Sequence, residues 1–130
     1  MRMIRRTAAL AATVLIMVGV PATASTASTG APAPVKPQGG TIDPHKVQWT
    51  SAKPIRNGRY LRVTWWSGVE PCSVLDRVTV KEGRGKVTVT LYEGSAEGAG
   101  MCVMLAVKKS TIVKLRAPIG DRRVADGAKR

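Results

Sequence analysis

Two cysteines, a single histidine and eight carboxylates are the side chains here whose types could do chemistry, and their spacing narrows what that chemistry can be. Cys72 and Cys102 permit one intramolecular pairing. A metal pair would need further ligands, and an oxidising compartment disfavours two reactive thiols. The spacing is therefore read as a disulfide, worth ~3–4 kcal/mol for a loop of about 30 residues in the chain-entropy model. His45 lies beside Pro44 and Lys46, ahead of the first strand, as an exposed or cap-like residue. A lone histidine excludes the usual His-rich metal site and leaves a base at the domain edge. Glu70, Glu82, Glu93 and Glu97 qualify for a small hydrolase by type alone, and three of them abut turns. Ser67, Ser73, Ser95 and Ser110 sit in no nucleophile elbow. Gly83-Arg84-Gly85-Lys86 lacks the length and the Ser/Thr of a phosphate loop. The chain reads as non-enzymatic, with no catalytic residue, metal or cofactor.

Binding chemistry is better represented. Tyr60, Arg62, Thr64 and Trp66 alternate along one strand, and Lys86 with Tyr92 occupies the equivalent face of another. If these faces are solvated and neighbouring, Tyr60, Arg62, Trp66, Lys86 and Tyr92 form an aromatic-basic platform for sugars, peptides or anionic polymers. If a second sheet covers them, they are core, and cross-strand packing explains them without a ligand.

The elements that must position these groups are strands. Val47, Trp49 and Ser51 share one face of a first short strand, and Asn57-Gly58 is a turn signal. Leu61, Val63 and Trp65 then point one way, until Gly68 and Pro71 end the run. A third strand over residues 72–82 turns inward Val74, Val78 and Val80, with Asp76 interrupting. Gly83-Arg84-Gly85 joins it in a hairpin to residues 86–93, where Val87, Val89 and Leu91 form one side. Residues 94–100 form a small glycine-rich loop expected to be mobile. Residues 101–107, apolar on both faces, suit a central strand covered from both sides. Lys108-Lys109-Ser110 is expected to turn, residues 111–116 to resume alternation, and residues 122–125 to form an edge strand blunted by arginine. About seven strands punctuated every eight to twelve residues predict an all-β fold: a small antiparallel β-sandwich (immunoglobulin-like) or a small barrel. The strand topology stays open, since Trp65 precedes both cysteines and the immunoglobulin Cys–Trp–Cys order is not reproduced.

The first residues set the compartment. Arg2, Arg5 and Arg6 form a basic head, residues 8–20 are apolar apart from Thr13 and Gly19, and Ala22-Thr23-Ala24 is a small-x-small cleavage site. Such a run falls short of the ~20 residues of a permanent span. Residues 1–24 are read as a signal peptide, 25–40 as a flexible Pro/Ala/Ser/Thr/Gly linker, 41–127 as one β domain, and 128–130 as a basic tail. The expected product is secreted, monomeric and without a transmembrane anchor. The whole chain carries +13; from Ser25 onward 18 Lys and Arg face 8 Asp and Glu, a net charge of +10. Such a surface adheres to polyanions, but no cationic block exceeds a doublet, which argues against a specific nucleic-acid groove.

The tether, the stretch Trp65-Trp66-Ser67-Gly68-Val69-Glu70-Pro71-Cys72, the strand from Val87 to Gly94 and the tail from Pro118 to Gly127 together resemble uncharacterised small secreted proteins of actinobacteria, of the streptomycete type. That resemblance implies the source, export and a β-rich fold, and it carries no chemistry. Met101-Cys102-Val103-Met104 is similar to the reactive-loop stretch of the streptomycete subtilisin-inhibitor family, although those proteins carry two disulfides and the rest of their pattern is missing here. Three functions follow as expectations. The first is a secreted, non-enzymatic binding or envelope-associated domain, whose partners would be anionic cell-wall polymers or another secreted protein. The alternative is a secreted protease inhibitor presenting residues 94–100 or 67–71, and the third a small secreted hydrolase.

Overall fold

The structure, a computed structural model, describes residues 13, 14, 16, 18–20 and 32–129. The basic head, the cleavage site and residues 25–31 of the linker lie outside them. Seven strands follow one another without a helix: β1 (Ile42–Val47), β2 (Ser51–Ile55), β3 (Tyr60–Ser67), β4 (Val74–Glu82), β5 (Lys86–Ser95), β6 (Val107–Lys114) and β7 (Arg123–Asp126). They make two sheets that pack as a sandwich and do not close into a barrel. One is β2-β3-β6. The other is β1-β5-β4, with β7 also on β5. All pairings are antiparallel except β5 with β7.

Period-two alternation decides which side of each sheet is inside. Leu61, Val63 and Trp65 of β3 are fully buried, as are Val87, Val89 and Leu91 of β5. They meet Leu75, Val113, Leu115 and Ile119 in one core. The intervening residues of both strands must then point to the two opposite outer surfaces.

Three expected boundaries shift, each for a visible reason. The first strand is broken at Gln48–Thr50, where the chain passes from one sheet to the other. The crossing is held by Trp49, whose backbone N–H donates to Asp126 Oδ2 (2.9 Å) and whose Nε1 donates to the Val89 carbonyl (3.0 Å). Residues 101–107 do not form a buried central strand. Residues 101–106 are irregular and exposed, and β6 begins only at Val107, so Lys108-Lys109-Ser110 lies inside a strand, not at a turn. The alternation of Thr111 and Val113 opposite Val63 and Leu61 fixes the register of β6. Continued backward, that register turns Lys109 inward at the open end, where its Nζ donates to the Ser73 carbonyl (2.8 Å). A run of apolar residues without a period carried no register of its own.

The linker is also shorter than expected. Pro32 to Gly40 lies against the sandwich: Val35 N–H donates to the Ser110 carbonyl (2.8 Å), and the backbone N–H groups of Gln38 and Gly39 donate to Leu75 and Asp76 carbonyls (2.9 Å each). Ser110 and Thr111 supply hydroxyl donors to Pro32 and Val35 carbonyls. Proline-rich chain has few backbone donors, and here the sheet edge supplies them instead. At the other terminus, Ala128 N–H donates to Asp126 Oδ1 (2.9 Å), so the tail starts pinned to β7.

Cys72 and Cys102 form the disulfide, with Cα atoms 5.7 Å apart. It joins the loop before β4 to the irregular segment before β6, at one end of the sandwich, not across the core as in immunoglobulin domains.

Candidate binding surfaces

The register places the outward-facing strand residues apart from those in the irregularities at Asp43–Pro44 and Asp76. On the β2-β3-β6 sheet, Lys53 stands opposite Arg62, Arg62 opposite Ile112, Tyr60 opposite Lys114, and Trp66 opposite Lys108. The strands of this sheet contain no carboxylate. On the other sheet the outward positions are Lys46, Arg77, Lys81, Lys86 and Arg123 around Tyr92 and three threonines; Lys86 stands opposite Arg123. Cations lie over rings on both surfaces: Lys108 Nζ is 5.4 Å from the Trp66 ring and Arg56 4.9 Å from Tyr60, while Arg77 is 4.0 Å from Tyr92.

The expected platform is therefore divided. Tyr60, Arg62 and Trp66 lie on one outer face, and Lys86 and Tyr92 on the opposite one. Trp66 is 57% exposed and Tyr60, Arg62 and Tyr92 are half-buried, so the residues are surface, not core. Lys53, Lys108 and Lys114 on the first face, and Lys81 and Arg123 on the second, join them. Sequence alone could place these only with the strand pairing in hand.

The acids explain why the faces are so basic: five of the eight accept bonds from the chain itself, Glu70 only through the exposed Gln38 amide (3.4 Å). Asp76, in a bulge between Leu75 and Arg77, accepts from the Thr41 hydroxyl (2.7 Å) and backbone N–H (3.1 Å) and pairs with Arg77 (3.0 Å). The Thr41 bonds, opposed by partial desolvation, hold its carboxyl below the usual range. Glu82 accepts from the Arg116 N–H (2.8 Å) and pairs with Arg122 (3.2 Å), and the first of these contacts leads in lowering its pKa. Glu93 is buried between the sheets, accepting from Trp65 Nε1 and from the Ser67 hydroxyl (2.7 Å). Asp126 anchors Trp49 and the tail. Only two ion pairs occur among the described residues, and neither involves Lys53, Arg62, Lys86 or Arg123.

The disulfide end has a different character. From Thr41 onward, the exposed large apolar side chains among the described residues are Ile42, Trp66, Met101, Val103, Met104 and Leu105, and all gather at this end. Met101 and Met104 are 95% and 97% exposed. Met104 sits between the Val103 carbonyl and the Leu105 N–H that donates to it (3.0 Å), at the tip of a tight turn. Behind the loop is a cleft of about 430 Å³ lined by Ser67, Gly68, Cys72, Ser73 and residues 102–106. Asp43, Glu70 and Glu97, all exposed, share this end of the molecule. Ser67 reaches the cleft, but its hydroxyl is engaged by Glu93. His45 is exposed, with Nδ1 3.2 Å from the Asp43 carbonyl, and no three His, Cys, Asp or Glu among the described residues converge as metal ligands. Comparison with known protein families, curated proteins and solved structures finds no match.

Proposed function

We propose that the protein is an exported, non-enzymatic binding domain that adheres to anionic polymers of the cell envelope through its sheet faces. One observation carries this reading: cross-strand cation neighbours, Lys53 with Arg62 on a sheet whose strands hold no carboxylate, and Lys86 with Arg123 on a sheet whose one exposed carboxylate, Asp43, lies at its far end beside the disulfide. Like charges directly opposite on a sheet repel, and an anion lying between them removes that cost. Aromatic rings beside the cations add stacking surface and apolar cover for a polymer backbone. The disulfide is consistent with an oxidising extracellular compartment, and no helix among the described residues is long and apolar enough to cross a membrane. Retention of the purified domain on immobilised teichoic acid or polyphosphate tests the reading. Binding that weakens with salt and falls in Arg62→Ala supports it; no retention at low ionic strength ends it.

A second reading, inhibition of a secreted protease, is favoured by the exposed loop at residues 101–106. Its apolar side chains project from a segment held by the Cys72–Cys102 bridge on one side and β6 on the other. Pre-organisation of that kind lowers the ordering cost of entering a cleft. The site differs from the two loops expected from sequence, residues 94–100 and 67–71, and contains Met101 to Met104, the stretch that resembles a subtilisin-inhibitor reactive loop. Stoichiometric inhibition of a subtilisin-like protease, lost in Met104→Asp and kept in Arg62→Ala, would establish it; rapid cleavage of the loop without inhibition would reject it.

A further inference from the structure

The two cationic faces are back to back. β3 and β5 contribute alternate residues to one shared core, so Arg62 and Lys86 leave the sandwich in opposite directions. Sheets in such a sandwich lie ~10 Å apart, and side chains on both outer surfaces add to that separation. A short linear polymer lying along one face cannot touch the other. We infer that one copy of this domain holds two anionic chains at once, one on each face, and so cross-links the polymer it binds. The inference rests on the polyanion reading and extends it from adhesion to bridging.

The composition of the two faces supports equal roles. Each has one cross-strand cation pair free of any ion-pair partner, Lys53/Arg62 and Lys86/Arg123. Each has a ring covered by a cation, Trp66 by Lys108 and Tyr92 by Arg77. The carboxylates that could have neutralised one side are turned to internal bonds, with Asp76, Glu82, Glu93 and Asp126 all engaged. At the disulfide end, exposed apolar residues and Asp43, Glu70 and Glu97 interrupt the positive surface. The opposite end carries exposed Arg59, Arg84 and Arg116 against a single exposed acid, Asp121, so a long chain could fold round it from face to face. The test must use chains no longer than one face, and the ten residues of β5 set that length at ~33 Å.

The experiment mixes donor-labelled and acceptor-labelled polyphosphate of that length with the full-length domain, after sedimentation has shown it to be monomeric. Energy transfer between chains is read as protein is added, and binding of one labelled chain is read separately by anisotropy. Transfer should rise with the native protein and decline again at protein excess, as each chain finds its own domain. Lys53→Gln with Arg62→Gln, and separately Lys86→Gln with Arg123→Gln, should each still bind one chain while transfer drops to background. Native protein that binds but gives no transfer overturns the bridging inference and leaves the adhesion reading standing. Transfer undiminished in both paired variants also overturns it, since a single face or self-association would then suffice. No binding by anisotropy removes both readings together.

Discussion

Lys53 and Arg62 face each other directly across the β2–β3 ladder, with Ile112 beyond Arg62 and no carboxylate on any strand of that sheet. A cross-strand pair of this kind costs the free protein stability and gives an arriving anion two donors at once. The two consequences have opposite signs. Lys53→Glu should raise stability by ~0.2–1 kcal/mol, because repulsion becomes attraction, and should weaken binding to polyphosphate. Thermal melts and anisotropy on the same variant check both. A variant that lost stability and kept its affinity would show the pair to be irrelevant to either.

The adjacent tryptophans should behave in contrasting ways. Trp65 is fully buried and bonded to Glu93, whereas Trp66 is exposed beneath Lys108. Trp65→Ala should cost ~3–5 kcal/mol and in a domain this small abolish folding. Trp66→Ala should cost no more than ~1 kcal/mol, the scale of an exposed cation–ring contact, and should show itself in polymer binding. Denaturant titration with intrinsic fluorescence distinguishes them.

Native protein should label with no thiol reagent, and its intact mass should lack two hydrogens. Replacing Cys72 and Cys102 by Ser should cost ~3–4 kcal/mol. The loss should appear with little change in polymer binding at temperatures where the variant stays folded, because the bridge lies at the end of the sandwich away from Lys53/Arg62 and Lys86/Arg123. Under the protease-inhibitor reading, inhibition should fail in the same variant. Melting curves with and without reductant give the measurement.

Acid should destabilise the fold through Asp76 and Glu82. Both have folded pKa values lowered from 3.8 and 4.5 by hydrogen bonds that the unfolded chain lacks. A lowered folded pKa gives stability that is present above the unfolded value and lost as pH falls through the folded one. The melting temperature should therefore hold at neutral pH and decline below about pH 4. Asp76→Asn should flatten that decline, and Thr41→Val, which removes the leading bond, should lessen it.

Most of the architecture was legible because alternation and turn chemistry agree. Asn57-Gly58 and Gly83-Arg84-Gly85 fall between strands whose inward residues, Leu61 to Trp65 and Val87 to Leu91, follow period two without a break. Residues 101–107 offered no such period, and what decided their fate was distant: the pairing of Val107 with Ser67 and the bond from Cys102 to Cys72. The candidate binding residues were legible strand by strand but not in combination. Tyr60, Arg62 and Trp66 could be put on one face, yet their relation to Lys86 and Tyr92 depends on which strands share a sheet, and Lys53 gained meaning only from its register. The packing of residues 32–40 is not legible locally, because their composition suits a tether. Its bonds come from Ser110 and the β4 carbonyls, which local sequence does not reveal.

Under the proposed function the arrangement of cations on the faces, and not total charge, binds the polymer. Two variants of equal charge separate these possibilities. One carries Gln at Lys53, Arg62, Lys86 and Arg123; the other carries Gln at Lys36, Arg59, Arg116 and Lys129, all exposed positions off the cation pairs. Affinity for polyphosphate is measured for each across a range of salt concentrations. The face variant should lose ~10-fold or more in affinity, and its salt slope should fall by roughly one per phosphate contact removed, while the matched variant stays close to the native protein. Equal losses in the two would contradict the account and leave a diffusely basic surface as the whole explanation.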